Sequence, residues 1–179
     1  MNATTHRNIV LVGFMGTGKS SAGKLLAQRL GMEFLDMDDE IVRREGCSIP
    51  EIFRDRGEPA FRQLERALVV ELAARRNLVI STGGGIVLNP DNIRDFSATG
   101  YVICLQAKPT SILARVGHDT NRPLLQGGDK LAKISELLAK RQPLYDAIPF
   151  QIDTEGHKPA DTAEAIVRRI NELERSGQG

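Results

Sequence analysis

The sequence IVLVGFMGTGKS, residues 9–20, decides the fold of this chain. A four-residue apolar run, Ile9–Val12, leads into two glycines, a lysine and a serine at the spacing of a phosphate-binding loop. Glycine lets the backbone turn successive N–H groups toward bound phosphates, and a helix that begins near Lys19 adds its positive N-terminal end. The stretch therefore predicts a first strand, a nucleotide-phosphate loop and a first helix, in that order.

The lysine and the serine of this loop have distinct expected roles. Lys19 reaches the β and γ phosphates of ATP, and the Ser20 hydroxyl ligates Mg²⁺. The expected nucleotide contacts in the loop are Gly16, Thr17, Gly18, Lys19, Ser20 and Ser21. One alternative is a plain glycine-rich turn. Another is a dinucleotide-binding loop, which would use Asp36 but would need a glycine where Ser21 stands.

Short apolar runs recur along the chain between longer amphipathic stretches. The runs are Ile9–Val12, Glu33–Leu35, Leu78–Ile80, Tyr101–Leu105 and Phe150–Ile152. Near-continuous hydrophobicity without alternation is typical of strands that are covered on both faces, and helices between such strands imply parallel crossover connections. The pattern predicts an α/β fold with a parallel sheet, in a single domain over residues 1–179.

Charge and composition argue against several other classes of protein. The 179 residues carry 24 basic and 23 acidic side chains, a net charge of +1, whereas a nucleic-acid scaffold shows a strongly basic face. The longest N-terminal apolar run, Ile9–Met15, is far shorter than the roughly 20 residues that span a bilayer. Cys47 and Cys104 are the only cysteines, and we expect both to be reduced thiols. We expect a cytoplasmic monomer without nucleic-acid or membrane partners.

The region after the second apolar run contains signals for two helices. Ser48 and Glu51 have the spacing of a capping box, and Gly57 supplies a stop, which predicts a short helix between them. A second helix follows, with an apolar stripe formed by Leu64, Leu68 and Leu72. Arg62 then lies close to the buried side without being in it, and Glu65 lies off the centre of the stripe.

Carboxylates that could serve a metal and an acceptor follow the second strand. The later run Leu78–Ile80 ends in two hydroxyl residues and three glycines, so the acid that many phosphate-loop proteins place there is missing. Asp36 and Asp38 are two residues apart, and in extended geometry both could face the phosphates. One would serve the metal and the other an acceptor hydroxyl. Alternatively, Asp38 or Asp39 simply caps the following helix.

Two further loops have features of ligand binding. Gly83–Gly85 follow a strand, and backbone without side chains permits close approach of a small substrate at the carboxyl end of a sheet. The segment 115–128 lacks regular periodicity and is bounded by glycines, which predicts a lid that brings Arg122 over the phosphates. The alternatives are a flexible turn without a ligand and an ordinary surface loop.

Six motifs, in this order, resemble those of the shikimate kinase family over nearly the whole chain. They are GFMGTGKSS (13–21), LDMDDEI (35–41), GEPAFRQLE (57–65), STGGGIV (81–87), NRPLL (121–125) and KRQPLY (140–145). The resemblance implies a nucleoside-monophosphate-kinase-like, three-layer α/β/α fold with a five-stranded parallel sheet in the order 2-3-1-4-5. It also implies transfer of the ATP γ-phosphoryl group to the 3-hydroxyl of shikimate, giving shikimate 3-phosphate and ADP, within the biosynthesis of chorismate and aromatic amino acids.

The resemblance also implies which residues bind shikimate. The expected contacts are Asp38, Arg62, Gly83, Gly84, Gly85 and Arg141. Asp38 would hold the hydroxyl groups, and Arg62 and Arg141 would hold the carboxylate, for which the planar guanidinium is well suited. Gly84 would donate a backbone N–H. The substrate-binding helical segment would cover about residues 37–74.

The remaining assignments concern the nucleotide and the metal. By the same resemblance, Arg115 would flank the adenine, and Arg122 would stabilise the charge of the transferring group. Ser20 and Asp36 are the expected Mg²⁺ ligands. The expected catalytic residues are Lys19, Asp38 and Arg122.

Alternatives to these roles stay open at the level of sequence. Arg62 could pair only with Glu58 or Glu65, and Arg141 could only stabilise a helix C-terminus. A gluconate or nucleotide kinase would be a related enzyme, and two arginines cannot alone separate shikimate from gluconate. A regulatory nucleotide switch is an alternative of another class. It would need a base-recognition motif such as Asn-Lys-x-Asp, which is absent.

Overall fold

The computed structural model describes residues 7–119 and 122–177. Residues 120 and 121, which fall in the predicted lid and the NRPLL motif, and the two ends of the predicted domain 1–179 lie outside the described residues. The strands are β1 Asn8–Val12, β2 Glu33–Asp36, β3 Leu78–Ser81, β4 Gly100–Gln106 and β5 Phe150–Asp153. They form one parallel sheet in the order β2-β3-β1-β4-β5. The predicted strands and their order are confirmed.

Helices connect successive strands. They are α1 Lys19–Leu30, α2 Met37–Glu45, α3 Ile49–Ala73, α4 Pro90–Thr99, α5 Pro109–Val116, α6 Lys130–Asp146 and α7 Pro159–Arg175. Two short 3-10 helices cover Ile86–Leu88 and Pro123–Leu125. Among the described residues, no helix has both the length and the apolar composition needed to cross a bilayer.

The sheet is covered on both faces, because neighbouring residues of the central strand β1 point to opposite sides. Val10 and Val12 pack in one apolar cluster with residues of α3, α4 and α6. Ile9 and Leu11 pack in a second cluster with residues of α1 and α7. These two clusters produce the predicted three layers. They leave the carboxyl end of β1, where the glycine-rich loop begins, at the edge of the core.

The long helix α3 has a break in its first half. Ser48 Oγ accepts a hydrogen bond from Glu51 N, and the Glu51 carboxylate accepts one from Ser48 N at 2.7 Å, which forms the predicted capping box. Gly57 has non-helical angles, φ 81° and ψ 165°, so the predicted stop is present as a break after which the helix resumes. Glu65, expected off the centre of the apolar stripe, is only 2% exposed. It is covered by the turn Gly83–Gly85, a tertiary contact that periodicity does not reveal.

Candidate active site

The loop between β1 and α1 holds its lysine in a folded-back position. Gly18 has a φ of 94°, in the left-handed region that favours glycine. Lys19 is 8% exposed, and its Nζ donates hydrogen bonds to Gly13 O at 2.8 Å and Phe14 O at 2.9 Å. Burial, together with the neighbouring Arg122 guanidinium, lowers the pKa of Lys19 to about 8. Because carbonyl oxygens are neutral acceptors, phosphate oxygens would bind this ammonium group more strongly.

Three oxygen-bearing side chains meet beside the loop. The Ser20 hydroxyl contacts Asp36 Oδ2 and lies 3.0 Å from Ser81 Oγ. Oxygen donors of this kind suit Mg²⁺, which commonly combines one or two protein ligands with substrate phosphates and water. The described residues contain no cluster of three or more His, Cys, Asp or Glu side chains that could hold a metal. The donor set therefore fits Mg²⁺ shared with phosphates, and not a metal held by the protein alone.

Asp36 ends β2 and caps α2, which corrects two expectations. Its Oδ1 accepts hydrogen bonds from Asp38 N at 3.0 Å and from Asp39 N at 3.3 Å. Because α2 begins at Met37, Asp38 is helical rather than extended, and neither Asp38 nor Asp39 is the cap. Burial raises the pKa of Asp38, and the nearby Asp36 carboxylate raises it further. The two carboxylates therefore lie together through the first turn of a helix and not through strand alternation.

The turn Gly83–Gly85 gathers charged groups around backbone that lacks side chains. A Cβ atom built on each glycine would approach one of them. The distances would be 3.0 Å to Asp38 Oδ1 at Gly83, 3.7 Å to Arg141 Nη1 at Gly84 and 2.3 Å to Arg62 Nη2 at Gly85. A Cβ atom on Gly84 would also lie 3.2 Å from Met15 N, in the phosphate-binding loop. The turn thus brings the three predicted substrate-binding side chains to one place next to that loop.

The guanidinium of Arg62 is held by two glutamates of its own helix. Its Nε and Nη2 donate to Glu58 Oε1 at 3.3 and 3.1 Å, and its Nη1 donates to Glu65 Oε1 at 2.9 Å. Burial raises the pKa of Glu65 to about 7, and Arg62 opposes this shift. The intrahelical pairs considered as an alternative are present, yet the guanidinium also lies against Gly85. The sequence prediction did not include Glu65 in the site, although its spacing of three residues from Arg62 favours an ion pair between them.

Arg141 enters the site from α6. It is 5% exposed, and its Cζ lies 5.9 Å from the centroid of the Phe14 ring. The helix continues to Asp146, so this buried side chain is not a surface charge at the helix C-terminus. Tyr145, one turn further along, donates a hydrogen bond from its hydroxyl to Gly84 O at 2.5 Å. The sequence prediction missed Tyr145, which shares a helix face with Arg141 at a spacing of four residues.

A cavity of 620 Å³ lies between the loop, α2 and the start of α3. The predicted site residues that line it are Gly16, Gly18, Lys19, Ser20, Ser21, Asp36, Asp38, Gly83, Gly84, Arg115 and Arg122. Thr17, Gly85, Arg62 and Arg141 are not in its wall, and Arg62 instead lines a smaller cavity of 320 Å³. Apart from Thr17, the predicted nucleotide and metal groups therefore share one cavity, and the two arginines predicted to bind the carboxylate adjoin it through the glycine turn.

Two arginines from the part of the chain that follows β4 also line the cavity. Arg115 lies in the last turn of α5, so the irregular segment predicted from residue 115 begins only after this helix. Its Nη1 donates to Gly16 O at 2.9 Å, and its Nη2 donates to Thr154 O at 3.4 Å. Arg122 Nε donates to Asp119 Oδ2 at 3.0 Å. Arg115 is thereby fixed to the phosphate-binding loop itself.

The sheet order, the loop and the charged groups around it define a P-loop phosphotransferase. The family model for shikimate kinase matches residues 15–171. A solved shikimate kinase from Acinetobacter baumannii in complex with shikimate superposes with a TM-score of 0.91 at 40% identity, covering 94% of each chain. The chain belongs to the shikimate kinase family, and it is an ATP-dependent kinase that acts on a hydroxyl group of shikimate.

Further relatives agree with this assignment. The shikimate kinase of Thermodesulfovibrio yellowstonii is 44% identical over 167 residues, which cover 93% of this chain and 96% of the relative. That of Dechloromonas aromatica is 44% identical over 168 residues, 93% of this chain and 92% of the relative. A gluconokinase from Sinorhizobium meliloti has a TM-score of 0.61 at 17% identity, covering 97% of this chain and 98% of its own, and so shares only the fold. The predicted family, fold class and kinase activity are confirmed.

Proposed function

We propose that the cavity beside the loop binds ATP and shikimate together, and that the γ-phosphoryl group passes to the 3-hydroxyl of shikimate. The observation that carries this proposal is the meeting of Asp38, Arg62 and Arg141 at the turn Gly83–Gly85, next to the phosphate-binding loop. A hydroxylated ring acid needs cations for its carboxylate and an acceptor for its hydroxyl groups. This turn is bordered by both.

The nucleotide is held by the loop and by two arginines. Lys19 exchanges its bonds to two loop carbonyls for bonds to the β and γ phosphates, and the N–H groups of residues 16–21 surround the phosphates. Arg115 flanks the adenine, and Arg122 faces the transferring group. Ser20 and Asp36 hold Mg²⁺, which when bound offsets the negative charge of the phosphates.

The acceptor is oriented by groups that the protein fixes in advance. Asp38 accepts a hydrogen bond from the 3-hydroxyl, and its raised pKa makes it a better proton acceptor than an ordinary aspartate. Arg62, steadied by its glutamates, and Arg141 bind the carboxylate, and Gly84 donates its N–H. Catalysis then comes mainly from positioning and from charge stabilisation, because phosphoryl transfer through a loose transition state needs little help from a base.

The same proposal extends to the organisation of the chain. Residues 1–179 form one kinase domain, residues 37–74 form its substrate-binding segment, and residues 115–128 form a lid that brings Arg122 to the phosphates. Closure of such a lid excludes water, which would otherwise compete with the acceptor hydroxyl. The enzyme acts as a cytoplasmic monomer without nucleic-acid or membrane partners.

Gly85→Ala is expected to weaken shikimate binding by displacing Arg62. Gly85 has a φ of −91°, which alanine adopts without strain, but the new methyl group would lie 2.3 Å from Arg62 Nη2. Because a hydrogen bond to a charged group contributes about 1.5–3 kcal/mol, KM for shikimate should rise about 10- to 100-fold. Steady-state kinetics would measure this. Gly46→Ala is the control, since it strains a helix end with φ 69° without touching other atoms. An unchanged KM in Gly85→Ala would remove Arg62 from the carboxylate site.

The acceptor can be tested directly by following ADP production from ATP with shikimate, gluconate and nucleoside monophosphates in parallel. Stimulation by shikimate alone supports the proposed reaction, and NMR of the product distinguishes the 3-phosphate from other positional isomers. Stimulation by gluconate or a nucleotide would support the related kinases. Hydrolysis that no acceptor changes would support a regulatory switch.

A further inference from the structure

The turn 83–85 consists of three consecutive glycines, and contacts with the rest of the protein are needed to fix its conformation. Glycine has the greatest conformational freedom of any residue, so such a turn must be held by its surroundings to keep a fixed shape. Before the turn, Thr82 N and Oγ1 both donate to Leu11 O. After it, Ile86 N donates to Gly83 O and Leu88 N donates to Gly85 O. The peptide between Gly84 and Gly85 is held by neither set of bonds.

That peptide is held by Tyr145. The Tyr145 hydroxyl donates to Gly84 O at 2.5 Å, and within the described residues this is the hydrogen bond that Gly84 makes. A trans peptide is planar, so fixing its carbonyl also fixes the N–H of Gly85, which points the opposite way. In the part of the chain that the structure describes, this N–H has no acceptor. Tyr145 therefore sets the direction of a buried donor that no described protein group uses.

The tyrosine is itself rigidly placed. It is 2% exposed, and burial raises the pKa of its hydroxyl to about 12, so the group stays protonated and donates at every pH relevant to the enzyme. Gln151 Nε2 donates to the main-chain oxygens of Tyr145 at 2.7 Å and Ile148 at 2.6 Å, which ties the end of α6 to β5. Arg141 precedes Tyr145 by one helical turn and lies on the same helix face.

We propose that Tyr145 is a positioning residue for the acceptor: it orients the peptide between Gly84 and Gly85 and keeps that peptide in register with Arg141. The inference rests on the proposed acceptor site and adds a residue to it. Tyr145 would not touch the reacting atoms. It acts through the glycine turn, so its loss should weaken the binding of shikimate and leave the binding of ATP unchanged.

Tyr145→Phe tests this with little risk of misfolding, because the buried ring is retained. Since a neutral hydrogen bond contributes about 0.5–1.5 kcal/mol, KM for shikimate should rise roughly three- to tenfold while KM for ATP changes less than twofold. Tyr101→Phe is the matched control. Tyr101 is also a buried tyrosine, but its hydroxyl bonds Glu174 at the opposite end of the sheet. Equal rises in both KM values, or no rise, would overturn the proposal.

A second measurement does not depend on activity. In protein labelled with ¹⁵N-glycine, the amide resonance of Gly85 should shift in Tyr145→Phe and stay in place in Tyr101→Phe. An unmoved Gly85 resonance would show that Tyr145 does not orient the peptide. If the wild-type enzyme failed to respond to shikimate, the proposed acceptor site would be wrong, and the Gly85 resonance would still report on Tyr145 separately.

Discussion

Replacing Lys19 with alanine is expected to remove measurable ATP binding and to lower kcat/KM by about 10³-fold or more. The Lys19 ammonium group is buried, and neutral carbonyls are its hydrogen-bond acceptors. It is therefore a donor already in place for phosphate oxygens, and no other lysine among the described residues lines the cavity. Calorimetry with a non-hydrolysable ATP analogue measures the first effect, and coupled ADP detection measures the second.

Lys24→Ala is the control for Lys19→Ala. Lys24 lies on the same helix, is exposed, and sits over the Phe34 ring at 5.8 Å, away from the loop carbonyls. Its replacement should leave ATP affinity within about twofold, because Lys24 does not line the cavity and its exposed charge is screened by solvent and salt. If Lys19→Ala bound the analogue as tightly as Lys24→Ala does, Lys19 would not be a phosphate ligand.

Asp38→Asn is expected to abolish turnover while sparing ATP binding. Asparagine keeps the size of the side chain but loses the negative charge that would orient the acceptor hydroxyl and accept its proton. General acid–base groups contribute about 10²- to 10⁴-fold, so kcat should fall by roughly 10³-fold. Single-turnover kinetics, combined with calorimetry for the ATP analogue, separate the two effects.

Asp39→Asn provides the comparison for Asp38→Asn within one helical turn. Asp39 is exposed, and its contact with Asp36 is made by its backbone N–H, which the substitution keeps. The rate of this variant should therefore stay within about threefold of the wild type. Near-full activity of Asp38→Asn would exclude Asp38 from the acceptor site.

The parts of the fold that sequence predicts well are those specified by local chemistry. The strands appear as apolar runs, and the glycine-rich loop is recognisable because Gly18, Lys19 and Ser20 must be adjacent. The capping box of Ser48 and Glu51 is likewise a matter of spacing. Asp36 shows the limit of this reasoning. β2 ends at Asp36, two residues before Asp38, so Asp38 has a helical conformation and not the extended one that was expected.

The rest of the site depends on contacts between distant parts of the chain. Glu65 is buried because the turn Gly83–Gly85 packs over it, and nothing in the α3 periodicity indicates that turn. The sequence shows that the turn has no side chains, but it cannot show that the guanidinium of Arg62 occupies the space beside Gly85. Tyr145 resembles any other core tyrosine until its hydroxyl is located against a carbonyl on another element.

Because α3 is interrupted at Gly57, a change of length before the break need not rotate the residues that follow it. In a continuous helix, one inserted residue rotates everything beyond it by about 100°, because a turn contains 3.6 residues. Here the first half begins at its own capping box and ends at the break, so an altered length before Gly57 can be absorbed there. Ser48, Ile49 and Pro50 line the cavity. The lining of the cavity at that wall can therefore change while Arg62 keeps its orientation.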